Sequence, residues 1–269
     1  MIGGIYVAYQ GELFKLLARR RTYLGFATAA IGPVIYLLLE LAQGPPKGPL
    51  ADNLGHTGVG FALVVVKLIA VFGPAVIAAL VAGDIVASER EEGTLKTVLT
   101  RSLTRTELLL GKLLALFTYL VLALAVFFLV CTVGGVIAWG FNPLVNISGQ
   151  RISALHALAL DLPALVIYTL PVLAIACFGF FLSVVTGQSV PAVGGTLIYA
   201  MSLQGVAAIS AIKDVHPYLL TNQLTAWHDL FETPSGGDLI VRAIWVSAVF
   251  ALPPILAALA IFNRRDIAV

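Results

Sequence analysis

The chain predicts an all-α integral membrane fold of six transmembrane helices, on three observations. Of its 269 residues, 59% are hydrophobic and only 11% charged, with a mean hydropathy of +0.99. A soluble domain carries about a quarter charged residues, so there is too little polar surface here to cover a globule in water. Apolar runs recur along the sequence at about the 20 residues a helix needs to cross the hydrocarbon core. Backbone groups in lipid must be bonded within their own segment or in a closed barrel. The alternating period of barrel strands is absent, so the runs are helices.

Residues 1–22 lead in. Leu13, Phe14, Leu16 and Leu17 are set against Glu12, Lys15, Arg19 and Arg20, a pattern that fits an interfacial helix in the headgroup layer and equally a simple basic flank. The spans fall at about 23–41, 59–83, 109–139, 162–186, 190–212 and 240–262. Arg19-Arg20-Arg21 and Gln43-Gly44-Pro45-Pro46 bound the first, and the second carries one charge, Lys67. From Leu162 to Ile212 there is no Asp, Glu, Lys or Arg, which is enough for two crossings. Gly187-Gln188-Ser189-Val190-Pro191 marks a tight hairpin between them. Pro74, Pro163, Pro171, Pro191, Pro253 and Pro254 interrupt the spans as kinks, either hinges or packing features.

Basic residues set the orientation. A cytoplasmic amino terminus puts Lys15, Arg19, Arg20, Arg21, Arg90, Lys96, Arg101, Arg105, Lys112, Arg264 and Arg265 inside. Lys47, Arg151, Lys213 and Arg242 are left outside. Both termini and the loop 84–112 are therefore expected in the cytoplasm, with the chain multi-pass in the cell (plasma) membrane. No basic residue precedes Lys15, and no cleaved signal peptide is expected. The formal charge of +2 gives no argument for nucleic acid.

The loop between the second and third spans is the densest polar stretch. Ser88 with Glu91, and Thr104 with Glu107, both have the spacing of a capping box, in which each side chain satisfies the other residue's amide. The first predicts a helix through about Thr100, and the second starts the third span before it enters lipid. Leu95, Val98 and Leu99 form an apolar stripe on the first helix. A short amphipathic helix of this kind docks in a groove of a soluble partner; the plain alternative is a solvated loop.

The run Gly83-Asp84, Glu89-Arg90-Glu91-Glu92-Gly93-Thr94-Leu95, Leu99-Thr100-Arg101-Ser102-Leu103-Thr104-Arg105 and Leu110-Gly111-Lys112 resembles the loop of ABC-2-type permeases. These are the membrane subunits of ATP-binding-cassette transporters. The close Phe262-Asn263-Arg264-Arg265-Asp266-Ile267 resembles that family's tail, and Ser102-Leu103 departs from it where many members have proline. The resemblance implies a dimer, homomeric or heteromeric, of six-helix subunits, working as an exporter. Each subunit would lay a coupling helix (Glu89, Arg90, Glu91, Glu92, Gly93, Thr94, Leu95, Val98, Leu99) in a separate ATP-binding subunit. ATP and magnesium would be held on that partner. This chain is expected to carry no cofactor and no catalytic site: Gly111-Lys112 lacks the earlier glycine and following hydroxyl of a phosphate loop.

Lys67 is an intramembrane charge, a functional candidate by default unless it snorkels or pairs with Glu40. It is the centre of the rival reading, a stand-alone secondary transporter or channel. Cys131 and Cys177 fall in apolar runs and read as buried hydrophobes. On the outer side, Leu220, Leu224, Trp227 and Phe231 form an apolar stripe ending at Pro234-Ser235-Gly236-Gly237. That predicts a re-entrant or interfacial helix before the last span, and the resemblance makes it an outer gate. His216 and His228 lack helical ligand spacing, so no metal site is expected. Asn146-Ile147-Ser148 matches a glycosylation acceptor only as a three-residue pattern.

Overall fold

The computed structural model describes residues 2–18, 20–43, 57–69, 73–94, 103–146, 148–207, 209, 214–232 and 236–264. Helix α1 (Ile2–Ala18) precedes α2 (Arg20–Gln43). A 3-10 turn, Gly58–Gly60, opens α3 (Phe61–Ile69), followed by α4 (Gly73–Asp84) and the short α5 (Ala87–Glu91). Helix α6 spans Arg105–Trp139. Strands β1 (Leu144–Val145) and β2 (Arg151–Ile152) then pair antiparallel, Leu144 opposite Ile152. Helices α7 (Ala154–Thr186) and α8 (Ser189–Ala207) lead to 3-10 segments His216–Tyr218 and Leu220–Phe231, and α9 (Asp238–Arg264) closes the bundle.

Five helical stretches are long and apolar enough to cross a membrane: Thr22–Ala42 within α2, and α6, α7, α8 and α9. Within the expected second span, 59–83, the described residues are helical in α3 and α4, and residues 70–72 lie outside the described residues. Five of the six expected spans thus appear as single long helices among the described residues.

Helices α6 and α7 form the centre. In their most apolar windows 50% and 61% of the residues are buried, against 22% in α2 and 17% in α8 and α9. The outer helices therefore present apolar faces outward, as lipid contact requires. Hydrophobic burial does not drive association within lipid, so close approach and polar contacts must hold the helices together. Gly111 shows how: a Cβ there would lie 2.6 Å from the Ala8 Cβ and 2.8 Å from the Tyr9 nitrogen, so α1 rests directly on α6. The Tyr119 hydroxyl donates to the Thr22 carbonyl at 2.9 Å, and Phe26 packs edge-on to the Tyr119 ring.

Ends are set locally. Thr104 and Glu107 make the predicted capping box: Glu107 N–H donates to Thr104 Oγ1 (3.3 Å) and Thr104 N–H to Glu107 Oε2 (3.0 Å). Ser153 accepts from His156 N–H and starts α7 at Ala154, earlier than the expected 162, which carries Asp161 into the helix. Gly187, left-handed at φ +61°, turns α7 into α8.

Candidate functional site

Four charged side chains meet at one end of the bundle. Glu12 and Lys15 sit three residues apart on α1, Glu89 on α5, and Lys112 in the second turn of α6. Lys112 Nζ lies 2.7 Å from Glu12 Oε2 and 2.8 Å from Glu89 Oε2, and donates to the Ile85 carbonyl at 3.2 Å. Lys15 Nζ lies 2.7 Å from Glu12 Oε1 and 2.9 Å from Glu89 Oε1. The Lys112 side chain is 1% exposed and those of Glu12 and Glu89 are 5% and 3%, whereas Lys15 is 37% exposed. Each carboxylate thus spans two ammonium groups, and the cluster is neutral. A buried charge needs both partner and hydrogen bonds to offset desolvation, and this alternation supplies them.

The electrostatics follow from that geometry. Burial works against the Glu89 carboxylate, yet the charges and hydrogen bonds of Lys112 and Lys15 outweigh it and hold its pKa below the ordinary value. Burial also works against the Lys15 ammonium, and Glu12 and Glu89 reverse it, so its pKa is raised.

The short helix α5 is pinned by its neighbours as well. Val86 and Ala87 N–H donate to Ser183 Oγ at 3.2 and 2.9 Å. Glu91 accepts from the Ser189 N–H and hydroxyl, both at 3.0 Å, and so caps the start of α8. Ser88 and Glu89 are buried, while Arg90, Glu91, Glu92, Gly93 and Thr94 are exposed. The carboxy end of α9 joins the same region: Arg105 Nη1 donates to the Asn263 carbonyl at 3.5 Å, and Thr106 hydrogen-bonds the Asn263 side chain.

Two expectations need correction here. The Ser88–Glu91 capping box does not form, because Ser88 lies inside α5 with its hydroxyl on the Asp84 carbonyl and Glu91 is drawn to Ser189. The helix expected through Thr100 ends at Glu91, followed by a turn with Gly93 at φ +68°. Leu95, Val98 and Leu99 lie outside the described residues.

The remaining candidates are spread elsewhere. Leu220, Leu224, Trp227 and Phe231 are all buried, at 2% exposure or less. Their segment, expected as a re-entrant or interfacial helix, is a 3-10 helix packed against α7 and α9. Lys67 is exposed in the last turn of α3 and makes no ion pair among the described residues; Glu40 instead accepts from the Tyr36 hydroxyl at 2.9 Å. Burial, then the charge of Lys67, lowers the pKa of His228 to about 4. Cys131 and Cys177 are buried free thiols. Among the described residues no three His, Cys, Asp or Glu side chains gather as metal ligands.

Sequence reasoning missed the cluster itself. Lys112 reads as a basic flank and Glu12 as one polar residue of an amphipathic helix; only the i,i+3 spacing of Glu12 and Lys15 hinted at a pair. Asp161 was also missed: it is buried on α7 and accepts from Thr132 Oγ1 at 3.4 Å.

Five apolar spans with a polar cluster at one end define a multi-pass helical membrane protein. Residues 50–268 match the family described as Protein of unknown function (DUF2705), and the chain belongs to that family. No curated protein matches the sequence.

Proposed function

We propose that the chain is the membrane-spanning subunit of an ATP-driven exporter of the ATP-binding-cassette class. It works as a dimer, with ATP hydrolysed on a separate subunit. The observation that carries this reading is the division of the motif-bearing segment into a buried inner edge and an exposed outer edge. Ser88 and Glu89 are buried beside α1 and α6, and Arg90–Thr94 stand exposed beyond them. A partner that pressed on the exposed edge would move α6 through Lys112 and the α7–α8 hairpin through Ser183 and Glu91. That is the mechanical linkage a permease needs from a coupling element. The buried stripe Leu220, Leu224, Trp227 and Phe231 at the opposite end would serve as the outer gate. In this reading the termini and Arg90–Thr94 face the cytoplasm, and a membrane-impermeant thiol reagent reports it: a cysteine at Glu92 should label only in opened cells.

The decisive experiment is co-purification with a candidate ATP-binding-cassette ATPase subunit, followed by ATPase assay in lipid nanodiscs. Leu95→Glu or Leu99→Glu should leave insertion unchanged and remove most of the stimulated ATPase activity. Normal stimulation in both variants would exclude docking through this segment. The rival reading, a stand-alone secondary transporter or channel, draws on Lys67, which is exposed and without an ion pair among the described residues. It requires Lys67→Gln to abolish transport in liposomes containing this chain alone.

A further inference from the structure

At the end of the bundle that carries Leu220–Phe231, a cavity of about 300 Å3 lies between the 3-10 segments and the first turns of α9. Small-molecule sites begin at roughly this volume. The polar wall is made by the chain folding on itself. Gln223 Nε2 donates to the Pro217 and Leu219 carbonyls at 2.7 and 3.0 Å, and Asn222 Nδ2 donates to the His216 carbonyl. The carbonyl oxygens that would repel an anion are thus already engaged, and Asn222 keeps a second amide hydrogen.

Arg242 lines the same cavity, half-buried, and forms no hydrogen bond or ion pair among the described residues. Among the described residues no carboxylate lines the cavity. The nearest acids in sequence do not reach it: Asp229 is turned to the Gly236 N–H at 3.3 Å, and Asp214, Glu232 and Asp238 are exposed without an ion pair to it. A guanidinium offers five donors in a planar fork and no acceptor, the geometry that carboxylates and phosphates match. Beside it, the rings of Tyr218 and Trp245 lie 5.7 Å apart and are 51% and 45% exposed. Val241 and Ile244 are exposed on the same turns of α9. Tyr and Trp concentrate where headgroups meet hydrocarbon. A cationic pocket therefore lies near an aromatic and apolar surface of the kind that sits at membrane interfaces.

We infer that this pocket binds a phosphate ester, its anion on Arg242 and Asn222 and any apolar tail along Tyr218, Trp245 and Val241. The site is independent of an ATPase partner. Both a phospholipid headgroup and a soluble phosphate ester have the chemistry, and one experiment separates them. The full chain, purified in detergent, is titrated with phosphatidylglycerol or with diacylglycerol, which lacks the phosphate, and bound lipid is counted by native mass spectrometry. Phosphatidylglycerol should remain bound and diacylglycerol should not. Arg242→Gln should weaken retention about tenfold, the scale of a hydrogen-bonded charge pair, with Arg242→Lys intermediate. Arg151→Gln, an exposed cation elsewhere, should bind as wild type. Displacement by millimolar glycerol phosphate would assign the site to soluble esters. Failure of displacement, with loss of lipid in Trp245→Ala, would assign it to lipid. Equal retention by wild type and both Arg242 variants, or equal retention of diacylglycerol, would overturn the proposal. Arg242 holds no described partner, so unchanged thermal unfolding checks that the variants fold.

Discussion

The buried quartet makes the sharpest residue-scale prediction. Lys112→Met leaves Glu12 and Glu89 sharing only the part-exposed Lys15, and removing one partner of a buried pair costs about 3–5 kcal/mol. Glu89→Leu should cost a similar amount by leaving Lys112 half-paired. The double variant Glu89→Leu/Lys112→Met should be more stable than the two single losses summed, because no uncompensated charge remains between that pair. Thermal unfolding of the three proteins in detergent gives the coupling. The pH dependence has two edges. Glu89 has a depressed folded pKa, so its contribution is present above the ordinary 4.5 and is lost as pH falls through the lower, folded value. Lys15 has a raised one, so its contribution is present below the ordinary 10.5 and is lost as pH rises past the higher value. Stability from these two groups should be flat between those limits and fall on either side, read as unfolding midpoint against pH.

At the scale of elements, Gly111 governs how α1 meets α6. A side chain there has no room between the Ala8 side chain and the Tyr9 backbone. Gly111→Leu should therefore separate the helices and pull Glu12 off Lys112. The variant should lose more than about 2 kcal/mol of stability from overpacking and the freed charges, read by thermal unfolding in detergent. The capping boxes show what was legible at this scale. Thr104 and Glu107 are satisfied by each other, so spacing alone revealed the start of α6. Ser88 and Glu91 have the same spacing, but Glu91 finds a better-placed amide at Ser189, 98 residues away. No local pattern carries that information. The same distance problem hid the quartet, since Glu12 and Lys112 are 100 residues apart. Asp161 was lost for a simpler reason: hydropathy marks where a helix is greasy, while Ser153 decides where it begins.

Across the whole molecule, the apolar spans were readable because lipid imposes one requirement on every residue of a span, whatever its neighbours do. What hydropathy could not show was which helices lie inside. The low burial of α2, α8 and α9 leaves long apolar faces on a single chain, covered by lipid or by a second copy. The exporter reading expects the latter, so mild detergent should yield a dimer by mass photometry in the presence of the ATPase. Helix α6 has 35 residues, a rod of about 50 Å, against roughly 30 Å of hydrocarbon. It reaches from the ion cluster to the far end, where the Gly58 N–H donates to the Gly140 carbonyl at 3.2 Å.

The quartet also constrains how the protein is made. Glu12 leaves the ribosome 100 residues ahead of Lys112, so throughout insertion of the first membrane segments the amino-terminal helix carries an acid whose eventual seat does not exist. It has to wait in the wet headgroup layer until the later helix arrives. A nascent chain stalled before Lys112 would hold that carboxylate with Lys15 alone, half-paired at the membrane surface.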